Sequence, residues 1–227
     1  METVVRVLRE EDSFAAIAHL CRGEALAAAT AFAELLAHLY WKEKDLDGAV
    51  AIGRAGTQFA LRAAEDVESS DPQRAAELRS KAKAMCYNLA SFTWPGWDEA
   101  GIAPTASDVR VGLDAAKANL RLARELGKGE LALARASWML GAQRLANGDR
   151  NAASASFASS AAHAKAAGAE SERLLALGFC HLVELLASPN SPDAQRKLVE
   201  VKEALAPLEH GADFVGQLET AWRVFSR

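Results

Sequence analysis

The sequence predicts an all-α protein, and three observations predict it. Apolar residues recur with a period near 3.6, and strand-like alternation is absent. Alanine is abundant, as in Ala25–Thr30, and it costs the least entropy in a helix while letting helices approach closely. The breaks between apolar stretches carry helix start and stop signals. Asp71-Pro72 and Ser191-Pro192 each pair a capping side chain with a proline whose missing N–H is harmless in a first turn. Gly127, Gly148 and Gly168 stand where a helix must end in the left-handed conformation.

Taken in order, the pattern gives ten helices. The first two fall near 10–22 and 24–43, the second being the alanine-rich one. A third, near 46–66, contains Gly53-Arg-Ala-Gly56, where close packing accounts for both glycines. The fourth, 72–93, opens at Asp71-Pro72 and ends before Pro95-Gly96, because proline disfavours helix at the residue before it. Helices near 108–126, 129–147 and 150–167 close at the three glycines just named. The last three are expected near 170–187, 192–206 (opened by Ser191-Pro192) and 212–225.

Composition bounds the function. The 227 residues suit one elongated domain. Their 26 basic residues are scattered among 30 acidic ones, for a net charge of −4. No concentrated basic field is available for phosphates, so nucleic acid is not an expected partner. Cys21, Cys86 and Cys180 are far apart in apolar sequence and read as buried free thiols in a reducing compartment. The opening Met1-Glu-Thr-Val-Val-Arg6 lacks a signal-peptide pattern. The most apolar stretch, Ala25 to Trp41, contains Glu34 and His38 and is short for a span of about 20 residues. A cytoplasmic protein without membrane contact is expected.

Nothing in the chain has the spacing of a catalytic or metal motif. The five histidines, His19, His38, His163, His181 and His210, include no pair four apart with a glutamate between. Glu34 with His38, and His181 with Glu184, have the wrong spacing or order for a di-iron Glu-x-x-His site. There is no Gly-x-Ser-x-Gly elbow, no phosphate loop and no cysteine beside an evident base. No cofactor, no metal and no enzymatic activity are expected.

The helices also repeat as pairs. Leu140-Gly141 lies on one helix, Gly148-Asp149 forms a turn, and Ala153 with Phe157 follows on the next. Leu36-Ala37, Tyr40 and Ala49 keep the same spacing of twelve residues between small side chains. Leu177-Gly178 follows Leu140 by 37 residues, near a period of roughly 34, and its partners are Ala194 and Leu198. Leu89-Ala90 pairs with Ala116 and Leu120 across 26 residues rather than twelve, which implies an inserted loop. This pattern resembles the tetratricopeptide consensus, W-x₂-L-G-x₂-Y…A-x₃-F…P, although no copy has the terminal proline and only the third has the aromatic of the second helix. The resemblance implies one domain over 1–227, a right-handed superhelix of about four antiparallel hairpins. These lie near 24–66, 72–126, 129–167 and 170–206, with capping helices 10–22 and 212–225.

In that family the first helices of successive hairpins line a concave groove where ligands dock. Carried onto this chain, the groove takes Glu34, His38 and Trp41 from the first copy, Tyr87, Asn88, Ser91 and Trp94 from the second, Arg135, Trp138 and Met139 from the third, and Leu175 and Phe179 from the fourth. Two readings of Tyr87, Trp138 and Phe179 are open: anchors for a ligand, or packing between helices. Asn88 and Arg135 fall at positions of the family's carboxylate clamp, but Glu34 and Met139 replace basic residues it requires, so clamping of a terminal carboxylate is rejected. Arg135 and Trp138 are expected to serve binding more than stability.

The insertion, Thr93-Trp-Pro-Gly-Trp-Asp-Glu-Ala-Gly-Ile-Ala-Pro104, has two tryptophans to bury. Trp94 is expected as a plug over the hairpin ends. Trp97, Asp98 and Glu99 are expected as a lip beside the groove, offering an apolar contact and acceptors. The resulting expectation is a protein- or peptide-binding adaptor. Its alternatives are an assembly subunit that homodimerises through the stack and, behind it, a small-molecule sensor.

Overall fold

The computed structural model describes residues 2–227. Among them are eleven α-helices and no strand. Helix α1 (Glu2–Glu10) and α2 (Ser13–Leu20) replace the single helix expected near 10–22. The break is chemical: the Asp12 carboxylate accepts from the Ala15 N–H at 2.8 Å, which fixes an N-terminus there. Val4 and Val5 are buried, and Val7 and Leu8 pack against the same core, so α1 is held by an apolar face.

Helix α3 (Ala25–His38) is expected to run to 43 but widens into a π-helical turn over Leu39–Glu43, ending at Lys44 with φ of 53°. The turn buries Tyr40 against Phe92, with ring centroids 3.9 Å apart and planes nearly parallel. Helix α4 (Leu46–Val67) then starts on the Asp45 cap. Its two buried glycines meet neighbouring side chains. A Cβ on Gly56 would lie 2.6 Å from Cβ of Phe32, and one on Gly53 would lie 3.2 Å from Leu36.

Helix α5 (Pro72–Phe92) opens with the Asp71 side chain accepting from Arg74 N–H. The insertion follows, and α6 (Ala106–Glu125) begins in a reciprocal capping box between Thr105 and Asp108. Then come α7 (Glu130–Ala146), α8 (Arg150–Ala166), α9 (Glu170–Ala187), α10 (Pro192–Leu205) and α11 (Gly211–Phe225). From α3 to α10 each helix packs on the next. The odd-numbered helices also touch in series: α3 on α5, α5 on α7, α7 on α9, and α9 on α11. The core forms two bodies that meet along α5 and α6, one holding Phe32, Tyr40 and Met85, the other Trp94, Trp138, Phe157 and Phe179.

Two junctions depend on glycine. A Cβ on Gly141 would lie 2.7 Å from the Phe157 ring, so α7 and α8 approach with that ring filling the gap. A Cβ on Gly112 would lie 2.1 Å from Oγ1 of Thr93 and 2.4 Å from Nε2 of Gln143. That Gln143 amide, fully buried, donates to the Ala90 carbonyl at 2.6 Å and to Thr93 Oγ1 at 3.2 Å. It thereby satisfies a carbonyl in the last turn of α5, which a helix leaves open.

The three cysteines are free, but only Cys86 is buried; Cys180 is half-buried and Cys21 exposed. Burial pushes the Cys86 and Cys180 thiols each up to about 11. An aromatic disulfide reagent should therefore titrate Cys21 first in native protein and reach Cys86 only on unfolding; fast native labelling of Cys86 would contradict its burial. Gly141→Leu should cost about 1–3 kcal/mol by overpacking against Phe157, read as a lower denaturant midpoint. An unchanged midpoint would remove the close approach of α7 and α8.

Candidate functional site

Trp94 leaves the end of α5 and enters the protein. Only 1% of it is exposed. Its ring lies 5.5 Å from Trp138 on α7, and 6.1 Å from both Phe179 on α9 and Phe225 on α11. Pro95–Trp97 then make a single 3₁₀ turn. Gly96 has no side chain because a Cβ would strike the Trp94 ring at 2.2 Å. Trp97 stands edge-on to Trp94, and its indole N–H donates to the Ser91 carbonyl at 2.8 Å. The expected plug is thus present, though its partners are the aromatic rings of three later helices rather than hairpin ends. Among the described residues the indole N–H groups of Trp94 and Trp138 have no oxygen or nitrogen partner. Some of their neighbouring rings stand edge-on, Trp138 and Phe179 at 85° and Trp94 and Trp138 at 76°, while Phe225 lies at 35° to Trp94.

Beside this cluster is a cavity of about 370 Å³. Its wall combines Tyr87 from α5, Trp97 from the insertion, Arg135 and Trp138 from α7, Ser160 from α8, Glu172 and Leu175 from α9, His210 just before α11, and Phe214 with Gln217 from α11. The odd-numbered helices therefore supply most of it. Trp97 and Trp138 face each other at 6.0 Å. Arg135 donates through Nη2 to Oε1 of Glu172 at 2.7 Å. The arginine side chain is 57% exposed and the glutamate 20%, so the carboxylate is the more enclosed partner. Burial pushes the Tyr87 phenol up, and the Arg135 guanidinium opposes that shift.

Five of the residues expected from sequence meet here: Tyr87, Trp97, Arg135, Trp138 and Leu175. The others do not. Met139 is completely buried, because the inner face of α7 turns toward the core one residue beyond Trp138, and a groove position for it is withdrawn. Trp138 is itself largely buried within the ring cluster, so its role in stability is larger than expected. Asn88 and Ser91 are half-buried, and Ser91 is engaged through its carbonyl by Trp97. His38 and Trp41 lie at the end of α3, outside this cavity. His38 is 3.1 Å from Glu43, and Trp41, 54% exposed, sits edge-on to Tyr40 and Phe92. The Lys44 ammonium is 5.7 Å from the Trp41 ring centroid.

The lip expected of Asp98 and Glu99 takes a different form. Asp98, with φ of 50°, pairs with Arg223 of α11 at 3.1 Å, and Glu99 with Lys44 at 2.7 Å. Both carboxylates are committed to cations of this chain and tie the middle of the insertion to α11 on one side and to the start of α4 on the other. Sequence reasoning missed Glu172, Phe214 and Gln217. The 37-residue offset of the fourth copy places Glu172 at the position of Arg135, but a lone carboxylate gives no sign of a site, and α11 reads from sequence only as a cap.

Among the described residues no cluster of three or more His, Cys, Asp or Glu side chains could hold a metal ion, and no helix is long and apolar enough to cross a membrane. No family model matches this chain, and neither curated proteins nor solved structures give a match.

Trp94→Ala should cost about 3–5 kcal/mol, as removal of a fully buried aromatic does. Asp98→Ala with Glu99→Ala should cost about 1 kcal/mol or less per ion pair. Denaturant melts of both variants check this, and equal midpoints would deny Trp94 its anchoring role.

Proposed function

We propose that this protein is a binding module that accepts a peptide segment of a partner protein in the cavity between the insertion and α11. The observation that carries this reading is the composition of the cavity wall. Four separate elements each contribute an aromatic ring, Tyr87, Trp97, Trp138 and Phe214, around a volume of about 370 Å³. A few polar groups sit among them. Concave, largely aromatic walls with sparse polar groups favour recognition of an anchoring side chain.

The serial contacts of α3, α5, α7 and α9 support a tetratricopeptide-like stack. Its hairpins would be α3–α4, α5–α6, α7–α8 and α9–α10 in a right-handed superhelix, with the cavity on the concave side. The insertion and α11 narrow that groove, so the site takes a side chain or short segment rather than a long helix. The rival assembly role draws on exposed Phe14, Trp41 and Val199. Phe14 on α2 and Trp41 on the π turn are isolated, as is ordinary on a surface, whereas Val199 on α10 lines an apolar groove with Leu185, Leu198 and Trp222.

Panning a phage-displayed random peptide library on the immobilised protein tests the reading. Selected peptides should bind the purified protein and lose about tenfold or more in affinity with Phe214→Ala, the loss expected of an interface anchor. Peptides that bind this folded variant as tightly as the wild type would place recognition elsewhere. A dimer by light scattering that yields no selected peptide would favour assembly.

A further inference from the structure

We infer that the cavity recognises the guanidinium of an arginine side chain on the partner peptide, with Glu172 as its counter-ion and Arg135 as a built-in competitor. This rests on the binding reading above and assigns the chemistry of the anchoring side chain. Three observations converge on a cation. Glu172 places a carboxylate in the wall that is only 20% exposed. A carboxylate so enclosed needs a positive partner or hydrogen-bond donors to offset its lost hydration. The rings of Tyr87, Trp97, Trp138 and Phe214 line the cavity, and a ring face, with its negative potential, attracts a cation.

The third observation is the present partner of Glu172. Arg135 reaches it through one N–H, at 2.7 Å, from a side chain that is 57% exposed. A long arginine tethered at the mouth by a single contact is a replaceable occupant. Its guanidinium marks the chemistry that the carboxylate accepts. An incoming guanidinium can pair with both carboxylate oxygens and lie flat against a ring, which an ammonium cannot do equally well. An anionic side chain would have Arg135 and His210 in its favour, but it would meet the Glu172 carboxylate directly.

This reverses the role expected for Arg135 from sequence. If it were a ligand contact, its removal would weaken binding. As an internal competitor, its removal frees the carboxylate.

The test titrates N-acetyl-arginine amide into the full chain and follows indole fluorescence, with N-acetyl-citrulline amide as the neutral isostere and N-acetyl-lysine amide as the second cation. The arginine probe should saturate, with lysine weaker and citrulline weaker by about tenfold or more, the worth of a charge-assisted hydrogen bond. Glu172→Gln, close in size and shape, should weaken the arginine probe by about tenfold or more. Arg135→Ala should tighten it by about two- to fivefold, since a partly exposed ion pair is the only thing displaced. Circular dichroism melts confirm that both variants fold. Should Glu172→Gln prove unstable, the Arg135→Ala arm and the citrulline comparison decide alone. Citrulline binding equal to arginine, or weaker binding by Arg135→Ala, overturns the inference. Library peptides that lack arginine yet depend on Phe214 would also overturn it, while leaving the peptide-binding reading intact. Failure of that reading would show instead as peptides indifferent to Phe214→Ala.

Discussion

Burial of the Trp94 indole is the constraint on which the cavity side of the molecule depends. An irregular segment can stay against a helical protein only if something anchors it. Trp94 supplies a large apolar surface directly after the α5 terminus and places it among rings from α7, α9 and α11. Once that ring is fixed, Gly96 can pass over it, and Trp97 comes to face Trp138. The cavity is therefore a by-product of anchoring: its insertion wall stands where it does because the residue three positions earlier is buried.

The anchoring itself requires that α5 end in a particular way. Gln143 from α7 reaches the Ala90 carbonyl and the Thr93 hydroxyl, which closes the last turn of α5 with a side chain from another helix. Gly112 on α6 leaves room for that amide. Three helices thus converge on one polar contact inside an apolar core, where an unmade hydrogen bond costs more than a made one contributes. Only the Nε2 end of the amide is engaged, since Gln143 Oε1 is buried without a partner among the described residues, and a shift of α7 along α5 would lose both donated bonds.

The helices were legible in the sequence because their caps are chemical and local. Asp71, Thr105, Asp149 and Ser191 each hold a backbone N–H in the structure, and Gly127, Gly148 and Gly168 all have positive φ. The break at Asp12 carries the same kind of signal, but the helix before it has only nine residues, too short for its apolar face to stand apart from the helix that follows. The π turn at Leu39–Glu43 had no local signal, since it arises from stacking of Tyr40 on Phe92, more than fifty residues away. The site was legible in part. Aromatic residues at helical spacing pointed to Tyr87 and Trp138, and the odd composition of the insertion pointed to Trp97. What local spacing cannot reveal is which distant cation a carboxylate will meet, and for that reason the roles of Asp98, Glu99 and Glu172 are not legible in the sequence.

The insertion's two ion pairs, Glu99 with Lys44 and Asp98 with Arg223, join the beginning of α4 to the last helix. In a chain where most contacts lie between consecutive helices, folding can spread from any point and either end can fray independently. A strap that spans nearly the whole sequence changes the order of events. Its contacts close a long loop, and entropy opposes such closure until both flanks are in place. The strap therefore seats late on the folding pathway. Once seated, its burial of Trp94 couples the loosening of α11 to that of the middle helices, so that the C-terminal half opens as one unit.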